Sequence, residues 1–208
     1  MTLETWLAFV AASIILLIIP GPTILAVVSY SLTHGKRANV ALVSAVALGD
    51  STALAASLLG LGALLSTSAI WFTVVKVVGG VYLLYLGIKL LRSRASPLET
   101  KEPTHMESGW RLFLNTYLVT AFNPKGIVFF VAFLPQFIAS EANPTSQLWI
   151  LAVTFVALAT VNACSYAIFA SSARKLLASA RAQQRFNLIG GLLLSAAGVW
   201  ALFARRAG

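Results

Sequence analysis

Few residues in this sequence could do chemistry, and they stand where polar groups are costly. Asp50 is the only charge between Asn39 and Leu65, eleven residues into an otherwise uncharged apolar run. Lys125 lies inside a second such run, directly after Asn123-Pro124. A carboxylate at mid-bilayer costs at least about 2.5–3.5 kcal/mol on insertion scales, so it faces a cavity or a partner rather than lipid. Asp50 can therefore bind an ammonium group, titrate as a proton-coupling site, or alternate between the two. The competing reading is a structural ion pair with Lys125 or Lys76.

Prolines break the same apolar runs. Pro20-Gly21-Pro22 interrupts the first run and Asn123-Pro124-Lys125-Gly126 the fourth. Each proline lacks an N–H and clashes with the carbonyl four residues back, so a helix carrying it bends or breaks. Lipid cannot satisfy the freed backbone groups, and paired breaks at corresponding places in two halves point to a transporter's binding site. A half-helix beginning after Pro124 aims N–H groups at an anion, and with Lys125 it forms a cradle for a carboxylate. Lys125 could instead pair with Asp50 or snorkel to an interface. Pro20, Gly21, Pro22 and Thr23 supply the opposing wall, unless the breaks only curve the helices for packing. Asn123 and Asn162 are amides in apolar surroundings that must find partners. They either line the site or fasten helices.

The elements that position these residues follow from composition. The chain has 208 residues, 59% apolar and 10% charged, against about 45–50% and about 25% for an ordinary soluble domain. It reads as one all-α integral membrane domain over residues 1–208. The net charge of +9 is spread over segment ends with no aromatic-interleaved basic patch, so no nucleic-acid partner is expected. Cys164 is the only cysteine and reads as a packed thiol. The spans contain one Asp, no Glu and no His, which argues against hydrolytic or metal chemistry; no catalytic residue, metal or cofactor is expected. A channel would need a filter signature that the sequence lacks. A structural subunit has little use for paired breaks and a buried Asp.

Six spans are expected at about 5–32, 39–65, 70–91, 112–138, 147–172 and 187–204, with a polar linker at about 93–110 between repeat 1 (about 1–92) and repeat 2 (about 111–208). Lys76 lies near enough to a span end to snorkel, and Trp6, Trp71, Trp110 and Trp149 fall near span ends as interfacial anchors do. Eleven of the 15 Lys and Arg residues lie on the face formed by loops 1–2, 3–4 and 5–6, which places those loops in the cytoplasm and both termini outside. Gly79, Gly80 and Gly87 recur as Gly190, Gly191 and Gly198, and Asp50 falls opposite Asn162. A three-span unit crosses an odd number of times, so its second copy inserts upside down. The expected fold is a 3+3 inverted repeat with broken helices 1 and 4.

The sequence also resembles the LysE/RhtB family of bacterial amino-acid exporters along its whole length. The resemblance rests on Met1-Thr2-Leu3-Glu4, Pro20-Gly21-Pro22, Leu32-Thr33-His34-Gly35, Gly49-Asp50, Tyr82-Leu83 with Tyr85-Leu86-Gly87-Ile88, Asn123-Pro124-Lys125 and, most specifically, Phe133-Leu134-Pro135-Gln136-Phe137. It implies efflux of small amino acids or their derivatives across the inner membrane, driven by protons, by a homodimer. Some family members carry an acid in span 5 where this chain has Asn162, which leaves Asp50 as the only acid deep in the bilayer. The Pro-Gly-Pro break and the missing second acid favour neutral amino acids such as threonine, homoserine or leucine over lysine or arginine.

Overall fold

The computed structural model describes residues 1–67, 69–93, 108–138, 143–170, 172 and 179–203, and among them every regular element is helical. The expected linker, the loop with Arg174 and Lys175, and Arg205-Arg206 lie largely outside the described residues, as do the side chains of Lys76 and Trp71.

Helix α1 (Leu3–Ile18) stops where the prolines require, with Ile19 and Gly21 extended. Helix α2 (Pro22–His34) restarts with Pro22 in its first turn, where a missing N–H costs nothing. It ends at Gly35, whose φ of 68° suits glycine, and a 3-10 turn over Gly35–Ala38 leads into α3 (Asn39–Thr67). Helix α4 (Ala69–Arg92) completes the first half. In the second half α5 (Gly109–Ala121) breaks at Phe122-Asn123, and the chain resumes as α6 (Pro124–Val128), a π turn (Phe129–Phe133) and a 3-10 turn (Leu134–Phe137). Helices α7 (Pro144–Ile168) and α8 (Ala180–Phe203) follow. Helix α8 starts before the expected 187 because polar residues such as Arg181 and Gln184 extend the helix beyond its apolar stretch.

Among the described residues three stretches are long and apolar enough to cross a membrane: Pro22–Gly60, Gly109–Phe137 and Pro144–Ile168, with Leu3–Ile18 a shorter apolar helix. Large apolar side chains stand exposed along these helices, among them Val40 (80%), Leu59 (77%) and Val153 (64%). A surface of this kind faces lipid, since soluble proteins keep such patches small. Trp110 is exposed in the first turn of α5 and Trp149 in the second turn of α7, whereas Trp6 is tied inward by its indole N–H, which donates to Thr154 Oγ1 at 3.1 Å.

An aromatic core holds the broken helices in place. Phe129, Phe130 and Phe133 from the π turn meet Phe9 of α1 and Phe155 of α7, with Phe130 and Phe155 edge to face at 4.7 Å. Helices α4 and α8 run antiparallel and pack most extensively of any pair among the described residues, Gly80 against Gly198 and Gly87 against Gly191. A Cβ added at Gly198 would lie 2.6 Å from the Leu84 nitrogen and 2.7 Å from the Gly80 carbonyl oxygen, so backbone itself must move. Small residues at membrane helix contacts allow this approach. Gly198→Ala is expected to lower stability by about 1–3 kcal/mol through overpacking. Gly60→Ala, where no atom lies within 4 Å, should be neutral or slightly stabilising; thermal unfolding in detergent compares the two.

Candidate functional site at the helix breaks

The site is built around the unpaired carbonyls of the first break. In an unbroken helix the carbonyls of Leu16, Leu17, Ile18 and Ile19 would accept from residues 20 to 23. Pro20 and Pro22 have no N–H to give, and Gly21 is extended. Side chains from the second half of the sequence stand in their place. Lys125 Nζ donates to the Leu16 and Ile19 carbonyls, each at 2.8 Å. Asn162 Nδ2 donates to Leu17 at 3.2 Å, and the Tyr166 hydroxyl donates to Ile18 at 3.0 Å at the more exposed edge. All four orphan carbonyls of α1 are thus met by side chains more than a hundred residues away.

The second break closes differently. Backbone donors serve α5: Phe122 N–H donates to Leu118 at 3.0 Å and Asn123 N–H to Thr120 at 3.0 Å. Asn123 then caps the restart, its Oδ1 accepting from the Lys125 N–H at 3.1 Å and its carbonyl accepting from Ile127 N–H at 3.1 Å. Its Nδ2 donates to Thr23 Oγ1 at 3.1 Å, which ties the two breaks together. An N–H expected for an anion at the start of α6 is therefore occupied by Asn123. Helix α2, in contrast, begins without a side-chain cap.

Asp50 is brought to this junction by its neighbour. A Cβ at Gly49 would lie 2.7 Å from Thr120 Cβ and 3.1 Å from the Tyr117 carbonyl oxygen, so only glycine lets α3 approach α5 this closely, just before the second break. Asp50, 8% exposed, lines a cavity of about 30 Å³ with Gly21, Thr23, Asn123, Lys125 and Asn162. Asp50 and Lys125, the two ionisable residues of this lining, thus share one small cavity. Six of the nine residues expected at the site line this cavity. Pro20, Pro22 and Pro124 do not, and Pro22 and Pro124 are exposed on the outer side of their helices. They make the breaks rather than the lining.

Tyr166 was not expected at the site. Its signal was present in the sequence: it follows Asn162 by four residues, so both lie on one face of α7. No cluster of His, Cys, Asp or Glu able to hold a metal occurs among the described residues.

Comparison with known proteins agrees with a membrane carrier. The chain is 31% identical over 204 residues to a homoserine/homoserine lactone efflux protein of Salmonella typhimurium, covering 94% of this chain and 98% of that protein. It is 27% identical over 170 residues to a leucine efflux protein of an Enterobacter species, covering 82% and 80%. An uncharacterized membrane protein of Vibrio cholerae is 29% identical over 199 residues, covering 96% and 97%. No solved structure matches. The profile of the LysE type translocators matches residues 14–205, and the chain belongs to that family.

Proposed function

We propose that this protein is an inner-membrane exporter of neutral amino acids or related metabolites, of the size of threonine, homoserine or leucine, driven by exchange for protons. The observation that carries the reading is the meeting of Asp50 and Lys125 in one cavity at the junction of two helix breaks. Asp50 binds the substrate ammonium and takes up the coupling proton in alternation. Thr23 and the uncapped start of α2 offer donors to a carboxylate, and Lys125 adds a positive charge. Gly21, Asn123 and Asn162 complete the polar lining, while Pro20, Pro22 and Pro124 keep the helices open. The cavity of about 30 Å³ has room for a water rather than an amino acid, so loading requires the two breaks to separate.

The single domain works as a 3+3 inverted repeat of six crossings, repeat 1 over about 1–92 and repeat 2 over about 111–208. The packing of α4 on α8 supports this arrangement. The offset that carries Gly80 to Gly191 and Gly87 to Gly198 turns the Gly80–Gly198 contact into the Gly191–Gly87 contact, as a two-fold axis would. The basic loops lie in the cytoplasm, both termini lie outside, and two copies pair as a homodimer.

The test is efflux from vesicles reconstituted with the purified protein and preloaded with labelled threonine, homoserine, leucine or lysine, with and without a pH gradient. Gradient-dependent loss of a neutral amino acid is expected. Loss of lysine alone would make the protein a basic amino-acid exporter. Loss indifferent to the gradient would make it a channel, and no loss of any would remove simple amino acids as substrates.

A further inference from the structure

The first break is more than a repaired helix. Four carbonyls, from Leu16 to Ile19, converge at the C-terminal end of α1, where the helix dipole adds negative potential. Two of them are held by an ammonium group. Lys125 Nζ spends two of its three N–H donors there, at 2.8 Å each. It also lies beside the unwound segment, 3.5 Å from where a Gly21 Cβ would be, in contact with the cavity that Asp50 lines. The group that fills these carbonyls is thus of the same chemical class as the α-ammonium of an amino acid, and it is tethered at the mouth of the proposed substrate site.

We propose that the carbonyls of Leu16 and Ile19 form a binding site for a primary ammonium, kept filled by Lys125 when no substrate is bound. The substrate's own ammonium, drawn into the cavity by Asp50, passes to this site by displacing Nζ, which turns to the substrate carboxylate. This second step rests on the amino-acid export reading. The exchange balances in charge. One ammonium replaces another at the carbonyls, and the displaced lysine finds a carboxylate that arrived with its competitor. A zwitterion with a neutral side chain satisfies every group. A lysine or arginine substrate would bring an extra positive charge without a second buried acid to receive it, since Asn162 holds that position and is itself engaged with Leu17.

The binding site is tested without transport, on the purified full-length protein in detergent. Lys125→Ala removes the atoms of a propylammonium ion, and propylammonium should raise the unfolding temperature of this variant by several degrees while leaving the wild type unchanged. Tetramethylammonium, which has the charge but no N–H, and propanol, which lacks the charge, should do nothing. Lys125→Met keeps the apolar stem and lacks only the Nζ position, so ammonium chloride should stabilise it where sodium chloride does not. No response of either variant to its matched amine, or an equal response to tetramethylammonium, would overturn the proposal. Failure of both to fold even with the matched amine supplied during extraction would count equally against it. Efflux from the wild type is a separate reading: a cation site without amino-acid efflux removes the export function, and efflux without the amine response removes only this site.

Discussion

Asp50→Asn is expected to abolish gradient-driven efflux, lowering its rate by about 100-fold or more, which corresponds to about 2.8 kcal/mol. Expression and unfolding temperature should remain close to wild type. Removing one partner of a buried ion pair ordinarily destabilises by about 3–5 kcal/mol, because it strands the other charge. Here Lys125 is not stranded. Its Nζ retains the Leu16 and Ile19 carbonyls whether or not Asp50 is charged. The asparagine amide is nearly isosteric and fits the same small cavity beside Gly49, so packing is preserved. What disappears is the ability to carry a proton and to offer a full negative charge to an ammonium. Parallel measurement of efflux and thermal unfolding on the same preparation separates the two effects. A variant that loses both together would make Asp50 a structural residue.

Lys125→Met should produce the reverse balance, with a large loss of stability added to the loss of transport. Two buried carbonyls are left without donors, at about 1–3 kcal/mol each. A total of about 2–6 kcal/mol is a large share of the stability of most proteins. The related variants grade the effect. Asn162→Leu and Tyr166→Phe each remove one donor, from Leu17 and Ile18, and should cost about 1–3 kcal/mol. Tyr166→Phe should lie at the low end, because its bond is at the exposed edge. Chemical or thermal unfolding of the series checks the order; a Lys125→Met protein no less stable than Tyr166→Phe would show that the lysine does not hold the break.

The two helix breaks were legible in the sequence, because proline acts locally, whereas the π turn over Phe129–Phe133 carries no such local signal. Removing an N–H at Pro20, Pro22 and Pro124 dictates a break wherever the fold puts those residues, and α1, α2, α5 and α6 start or stop beside them. The glycine offsets were equally plain, since a close helix contact needs a missing side chain. Which donors would repair the first break could not be read in the same way. Lys125, Asn162 and Tyr166 lie 106 to 148 residues from the carbonyls they serve, and only the folded packing of α6 and α7 against α1 selects them. Lys125 shows the difference most clearly. Its charge and its place after Pro124 suggested a carboxylate cradle or a partner for Asp50, whereas its hydrogen bonds go to the backbone of α1. The Asn123 amide was likewise visible as a polar group needing partners, but its role in joining the two breaks through Thr23 is a matter of three-dimensional proximity.

On the proposed function, Asp50 exchanges a proton for an amino acid at the junction of the two breaks. That exchange is tested most directly by the proton itself. In vesicles containing the purified protein and a trapped pH-sensitive dye, an outward gradient of homoserine or leucine should drive protons inward with no imposed pH difference. The signal should be absent in Asp50→Asn vesicles carrying the same amount of folded protein. Amino-acid efflux without proton movement, or proton movement that survives Asp50→Asn, would contradict the account.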